Sequence, residues 1–267
     1  MYEQWKVRQS FVDDVNIITK LFLGIILFFF IIFVHNFDFM LYITILMLVF
    51  LLMFNGTQFK ITAIFITISI GFALLSSLFM ILYGNGSHTI LKFGFIHITT
   101  ESLVRGLHVS LRTIAISFFG ILIALTSQVV MIFYSLMQHL KVKSKVAYAF
   151  MAAIRMIPLM ISSLIQLRRS LKMRYQMIDA ANYRGLKSKH LIIPLLSQNI
   201  RKAHQLSVAM ESKGFRDGPR TYYYNVPFSY KDIIFIIVLI AIITMAYYCS
   251  ITLPITGIDD VRLGRVG

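Results

Sequence analysis

The chain has 267 residues, 58% of them hydrophobic and only 14% charged, with a positive mean hydropathy. That leaves too little polar surface for a water-soluble domain of this size, so the chain reads as an integral membrane protein. Its 26 Lys and Arg outnumber 11 Asp and Glu, and its single cysteine, Cys249, excludes an internal disulfide and a cysteine-based metal site.

Five apolar runs approach or reach the length that crosses a bilayer core, about 17 to 25 helical residues. The first, Ile17 to Val34, follows an acidic Asp13-Asp14 pair and has no small-residue cleavage site after it. It is therefore expected to stay as a span rather than leave as a signal peptide. The second, Phe39 to Phe54, is marginal in length. Only HNFD (His35 to Asp38) separates the two, which predicts a tight hairpin or a re-entrant pair. Ile61 to Tyr83 is the third run. His97 to Leu111 then reads as an interfacial amphipathic stretch ahead of the fourth run, Thr113 to Tyr134. Next comes a basic region from Lys141 to Lys231, opposed only by Asp179, Glu211 and Asp217, and the fifth run is Ile233 to Leu253. The fold class is all-α and polytopic: membrane helices over 1–140, an insert of long amphipathic helices over 141–230, and a last span with its tail over 231–267.

The positive-inside tendency puts the basic region in the cytoplasm. Lys60 then lies inside, HNFD outside, and Lys6, Arg8 and Lys20 bring the N-terminus inside. Lys92, Arg105 and Arg112 fit this topology poorly, because it assigns their segment to the outer face.

Within the basic region, Leu164, Leu167, Leu171, Tyr175 and Ile178 recur at three- and four-residue steps, the mark of an amphipathic helix. It should end near Arg184, with Gly185 taking the left-handed closing conformation. After Pro194, the residues Leu196, Ile200, Ala203 and Met210 give a weaker stripe that should end at Lys213 with Gly214 in the same role. A cation followed by glycine is ordinary chemistry for a helix C-terminus, contributing about 0.3 to 1 kcal/mol at an exposed end. Two such ends, DAANYRG with Ala181 and AMESKG with Ala209 and Glu211, suggest instead two packed helices that present basic tips to a common partner.

Five stretches in order then resemble a known family: ITTESLVRGLHVSLRTI, LTSQVVMIFYSLMQHLKV, AAIRMIPLMISSLIQLRRS, the AANYRG end and the AMESKGF end. Together they are similar to the transmembrane T component of energy-coupling factor (ECF) transporters, the EcfT/CbiQ family of prokaryotic cobalt- and vitamin-type importers. The resemblance runs from about Gly94 to Arg220 and reaches the N-terminal third only in hydropathy. It implies a scaffold in the prokaryotic cell membrane holding a small hydrophobic substrate-binding S component against two cytoplasmic ABC-type ATPases. Long coupling helices would dock their ends in grooves on the ATPases. The family's Ala-Arg-Gly ends fall on Tyr183, Arg184 and Gly185 and on Ser212, Lys213 and Gly214. Neither has alanine first, and the second carries lysine, which keeps the charge but loses the planar fork that grips carboxylates. Arg155 and Pro158 fit a bend where a membrane span becomes a coupling helix, or a plain break between two helices.

The sequence contains no Gly-x-x-x-x-Gly-Lys-Ser/Thr phosphate loop, so ATP hydrolysis is expected on partner chains, and no catalytic residue, cofactor or metal is expected here. No acidic residue lies inside the five runs, which counts against an ion-coupled carrier. The seven histidines lack ligand spacing, although His88 and His97 remain conceivable metal contacts. Aromatics clustered at Tyr222 to Tyr224 argue against nucleic acid. A membrane enzyme acting on a lipid or isoprenoid phosphate would need a carboxylate cluster that is absent. An ordinary ABC importer permease usually couples through one short helix. The transported substrate, vitamin or metal ion, is not legible.

Overall fold

The computed structural model describes residues 8, 10–84, 89–93, 96–178, 188–216, 218, 222, 224–258 and 261. A 3-10 turn at Phe11–Asp14 leads into α1 (Ile17–Phe33), α2 (Phe37–Phe54) and α3 (Phe59–Tyr83). The short strands β1 (Thr89–Phe93) and β2 (Ile96–Thr99) follow, then α4 (Thr100–Thr126), α5 (Val129–His139), α6 (Ser144–Ile178), α7 (Ser188–Ser212) and α8 (Tyr230–Thr252). The chain divides into two compact units, Met1–Ser135 with Val226–Gly267, and Leu136–Asn225.

Polar side chains start the helices of the first unit. Asn16 accepts from the Ile18 N–H at 3.0 Å and Asn36 from the Phe39 N–H at 2.9 Å, satisfying donors that a helix start leaves open. The core gathers Leu27 and Ile31 of α1, Met40, Ile43, Met47 and Leu51 of α2, and Ala115, Phe118, Phe119 and Leu122 of α4, with Phe235, Leu239 and Ala246 of α8. The ring of Phe235 lies 6.1 Å from that of Phe50 and 6.4 Å from that of Phe119, tying α8 to α2 and α4.

The α3–α4 contact is of another kind. α3 buries only Thr62, Ser69, Ala73 and Ser77 and leaves most large side chains exposed. A Cβ on Gly106 of α4 would fall 2.4 Å from Ile81 Cγ1 and 3.2 Å from the Ser77 carbonyl oxygen, so glycine lets the two backbones approach. Small residues are the usual device where lipid surrounds the helices, since apolar side chains gain little by leaving it.

Five helices are long and apolar enough to cross a membrane: α2, α3, α4, the Ser144–Met173 part of α6, and α8. With the bundle, they make this an all-α polytopic membrane protein. α1 is equally apolar but has 17 residues, and α6 is a candidate that the hydropathy reading did not count. The expected fourth span, Thr113 to Tyr134, is divided: α4 stops at Thr126 and α5 begins at Val129. At the break, Lys20, buried at 1% exposure, donates from Nζ to the carbonyl and the hydroxyl of Thr126 at 3.4 Å and so satisfies a carbonyl that the helix end leaves open.

The interfacial stretch expected at His97 to Leu111 is also different. Residues 96–99 pair with β1 in an antiparallel hairpin that the sequence reading did not foresee. Thr99 and Ser102 exchange side-chain-to-backbone hydrogen bonds of 3.0 and 3.1 Å and start α4. Glu101, Ser102, His108 and Ser110 are then buried. These four polar side chains of the segment therefore face into the protein.

The tail after α8 returns over the α1–α2 turn. Asp38 accepts from the Thr256 N–H and hydroxyl and from the Gly257 N–H at 2.7 to 3.1 Å. The N–H of Val261 donates to the His35 carbonyl, and Ile258 and Val261 bury against Phe37. Gly257, with φ +64, makes the bend that a side chain would strain.

Candidate functional site

The second unit presents the two long helices. α6 has 35 residues and runs through Pro158, whose ring nitrogen cannot donate to the Ile154 carbonyl, so the proline interrupts one hydrogen bond without ending the helix. Arg155 and Pro158 are both exposed. α7 begins at Ser188, before Pro194, and carries that proline as well.

α6 and α7 pack against each other. On α6 the half-buried row includes Ser163, Leu167 and Leu171; on α7 it is Leu191, Leu195, Asn199, Lys202, Leu206 and Met210, in steps of three and four. Lys202 Nζ donates to Ser163 Oγ at 3.2 Å across the pair. The expected seam holds at Leu167, Leu171 and Met210, whereas Leu164, Leu196, Ile200 and Ala203 are exposed. Counting apolar residues missed the true row because Lys202 lies in it, with its stem on the helix contact and its ammonium satisfied by a hydroxyl.

The C-terminal end of α7 has a defined geometry. Gly214 takes φ +77, its N–H donates to the Glu211 carbonyl at 2.9 Å, and the Phe215 N–H reaches the Met210 carbonyl at 3.0 Å. This pair of bonds is the Schellman closure, which needs the left-handed residue that glycine supplies. The Ser212 hydroxyl donates to the Ala209 carbonyl at 3.0 Å. Ala209, Glu211, Ser212, Lys213 and Gly214 are all exposed. The Lys213 ammonium thus projects into solvent beside the helix's last carbonyls, where positive charge is favoured.

One participant escaped the sequence reading. The Phe215 ring meets the Tyr148 ring of α6 edge to face, with centroids 5.7 Å apart and planes at 89°. That contact joins the closing turn of α7 to the first turns of α6. The signal was present in the sequence, since a hydrophobic residue directly after the glycine is usual in this closure. The other expected tip, with Ala181, Tyr183, Arg184 and Gly185, lies outside the described residues.

A family model described as "Cobalt transport protein" (CbiQ) matches residues 8–224. The energy-coupling factor transporter transmembrane protein EcfT of Lactococcus lactis subsp. cremoris is 28% identical over 181 residues, covering 64% of this chain and 68% of the relative. The EcfT protein of Streptococcus equi subsp. equi is 26% identical over 190 residues, covering 67% and 70%. That of Macrococcus caseolyticus is 25% identical over 209 residues, covering 74% and 76%.

Proposed function

The chain belongs to the CbiQ family of cobalt transport proteins, and on that premise we propose that it is the non-catalytic coupling subunit of an ECF-type importer. The relatives named as transmembrane components of such transporters support this reading. In it, the chain lies in the cell membrane with its N-terminus, the C-terminal end of α6 and α7 on the cytoplasmic side. Two ABC-type ATPases dock at the helix ends, and a small membrane partner binds the substrate, a vitamin or a transition-metal ion.

The observation that carries the proposal is the exposed Lys213 on a Schellman-closed helix end braced by Phe215 and Tyr148. A helix resists compression along its axis, so a tip seated in a groove moves its whole helix when the groove moves. Because α7 lies along α6, a push on that tip becomes a shift of a helix pair whose other member contains a membrane-length apolar stretch. Arg184 would provide the second tip, with a guanidinium suited to bidentate contact.

Copurification from native membranes tests the assignment. ATPases together with a small hydrophobic subunit are the expected companions. ATPases alone would point to an ordinary permease, and neither would remove the scaffold role.

A further inference from the structure

The contact between α6 and α7 is rich in leucine, and leucine alone is nearly blind to position along a helix axis. On α7 the half-buried row is Leu191, Leu195, Asn199, Lys202, Leu206 and Met210, and on α6 it includes Ser163, Leu167 and Leu171. Apolar attraction has no direction, and rows that repeat every three or four residues meet again after a slide of one turn, about 5.4 Å. Lys202 and Ser163 break that repetition, because the ammonium donates to the Ser163 hydroxyl at 3.2 Å only where the two positions stand opposite. We propose that Lys202 is a positioning residue that sets the one axial register in which α7 carries a push on its tip into α6.

Three observations carry this assignment. First, Lys202 is half-buried in the row, so after a one-turn slide its ammonium would face apolar side chains in place of a hydroxyl. Second, an independent contact marks the same register. The Phe215 ring meets the Tyr148 ring at 5.7 Å; Phe215 stands 13 residues after Lys202 and Tyr148 stands 15 before Ser163, so both contacts fit one antiparallel alignment. That ring pair lies beyond Ser212, the last residue of α7, whereas Lys202 ties the body of the helix. Third, Asn199, the other polar member of the α7 row, makes no side-chain hydrogen bond among the described residues.

A single polar residue in an apolar helix seam is a known way to specify register, at a cost in stability. The consequence for transport rests on the coupling role proposed above: a pair free to slip would take up a displacement of the α7 tip as sliding, and α6 would stay in place. The register itself is a property of this chain alone.

Distances between spin labels at Ser170→Cys and Gln205→Cys, exposed sites on α6 and α7, read the register of the full chain carrying Cys249→Ser. This parent should give one distance. Lys202→Leu, which completes the apolar row, and Ser163→Ala, which removes the acceptor and keeps the lysine, should each add a second population displaced by several ångström, as a one-turn slide of about 5.4 Å requires. Lys202→Arg should keep the single distance. Lys202→Leu should unfold no earlier on heating than the parent, retain the ATPases through its intact Lys213 tip, and lose uptake several-fold. An unchanged single distance in either folded variant would overturn the proposal, as would undiminished uptake in a variant whose register has shifted. Absence of ATPases from the parent would instead strike the scaffold reading, and the distances would still judge the register.

Discussion

The carboxylate of Asp232, at the start of α8, accepts the backbone N–H of Asn16, at the start of α1, at 2.7 Å. Its other oxygen accepts the Ser229 N–H at 2.6 Å, and the Asn16 side chain in turn accepts from the Ser135 hydroxyl at 2.6 Å. Asp232, Asn16 and Ser135 are all buried. One carboxylate thus fixes the entry of two apolar helices that are distant in sequence.

Removing it leaves one buried N–H donor, that of Asn16, and one partly buried donor, that of Ser229, without acceptors. Asp232→Ala should destabilise the folded chain by about 2 to 4 kcal/mol, read as earlier thermal unfolding in detergent. Asp232→Asn, which retains one acceptor oxygen, should lose less.

At the α3–α4 contact, Gly106→Ala should cost about 1 to 3 kcal/mol, because its methyl group meets Ile81 Cγ1 inside van der Waals distance. Ile81→Ala in the same chain should recover part of that loss, since the clash is removed while a small cavity is created. Unfolding midpoints of the two single variants and the double variant measure the coupling.

How much of this was legible in the sequence differs by element. The apolar runs from Ile17 and Phe39 announce two helices through local composition alone, and the structure places α1 and α2 there, with starts capped by Asn16 and Asn36, which the sequence reading did not single out. Gly214 was legible for the same reason, as its positive φ answers a local need of the helix end. The division of the fourth run at Ser127 was not, and the group that satisfies the open end of α4 at Thr126 is Lys20, more than a hundred residues earlier. The burial of Glu101 and His108 was equally hidden, for it depends on what packs around α4 and not on their own spacing. On α7 the stripe was misplaced by one position, since Lys202 serves the helix contact and a hydropathy count assigns it to water.

At the closing turn of α7, Gly214→Ala should destabilise the helix end by about 1 kcal/mol, through the left-handed conformation that a Cβ disfavours. If the tip docks the ATPases, the loss should appear in their recruitment as well as in unfolding. Phe215→Ala should act in the same direction, losing an edge-to-face ring pair worth about 0.5 to 1.5 kcal/mol beyond its buried area. Combining it with Tyr148→Ala should add little to the single loss, as both remove one contact.

Lys213→Arg should leave transport unchanged or raise it slightly, since arginine keeps the charge and adds a fork of donors. Uptake of the transported substrate in whole cells is the measurement, and complete loss would show that the tip is read by shape and not by charge.

The central claim is that two basic helix ends hold the ATPases. Tagged wild-type chain and an Arg184→Glu, Lys213→Glu double variant should be drawn from membranes in mild detergent, with every accompanying chain identified by mass spectrometry. The account predicts ATPases with the wild type and their loss from a variant that still inserts in the membrane. Equal recovery of ATPases with both, or their absence from both, would contradict it.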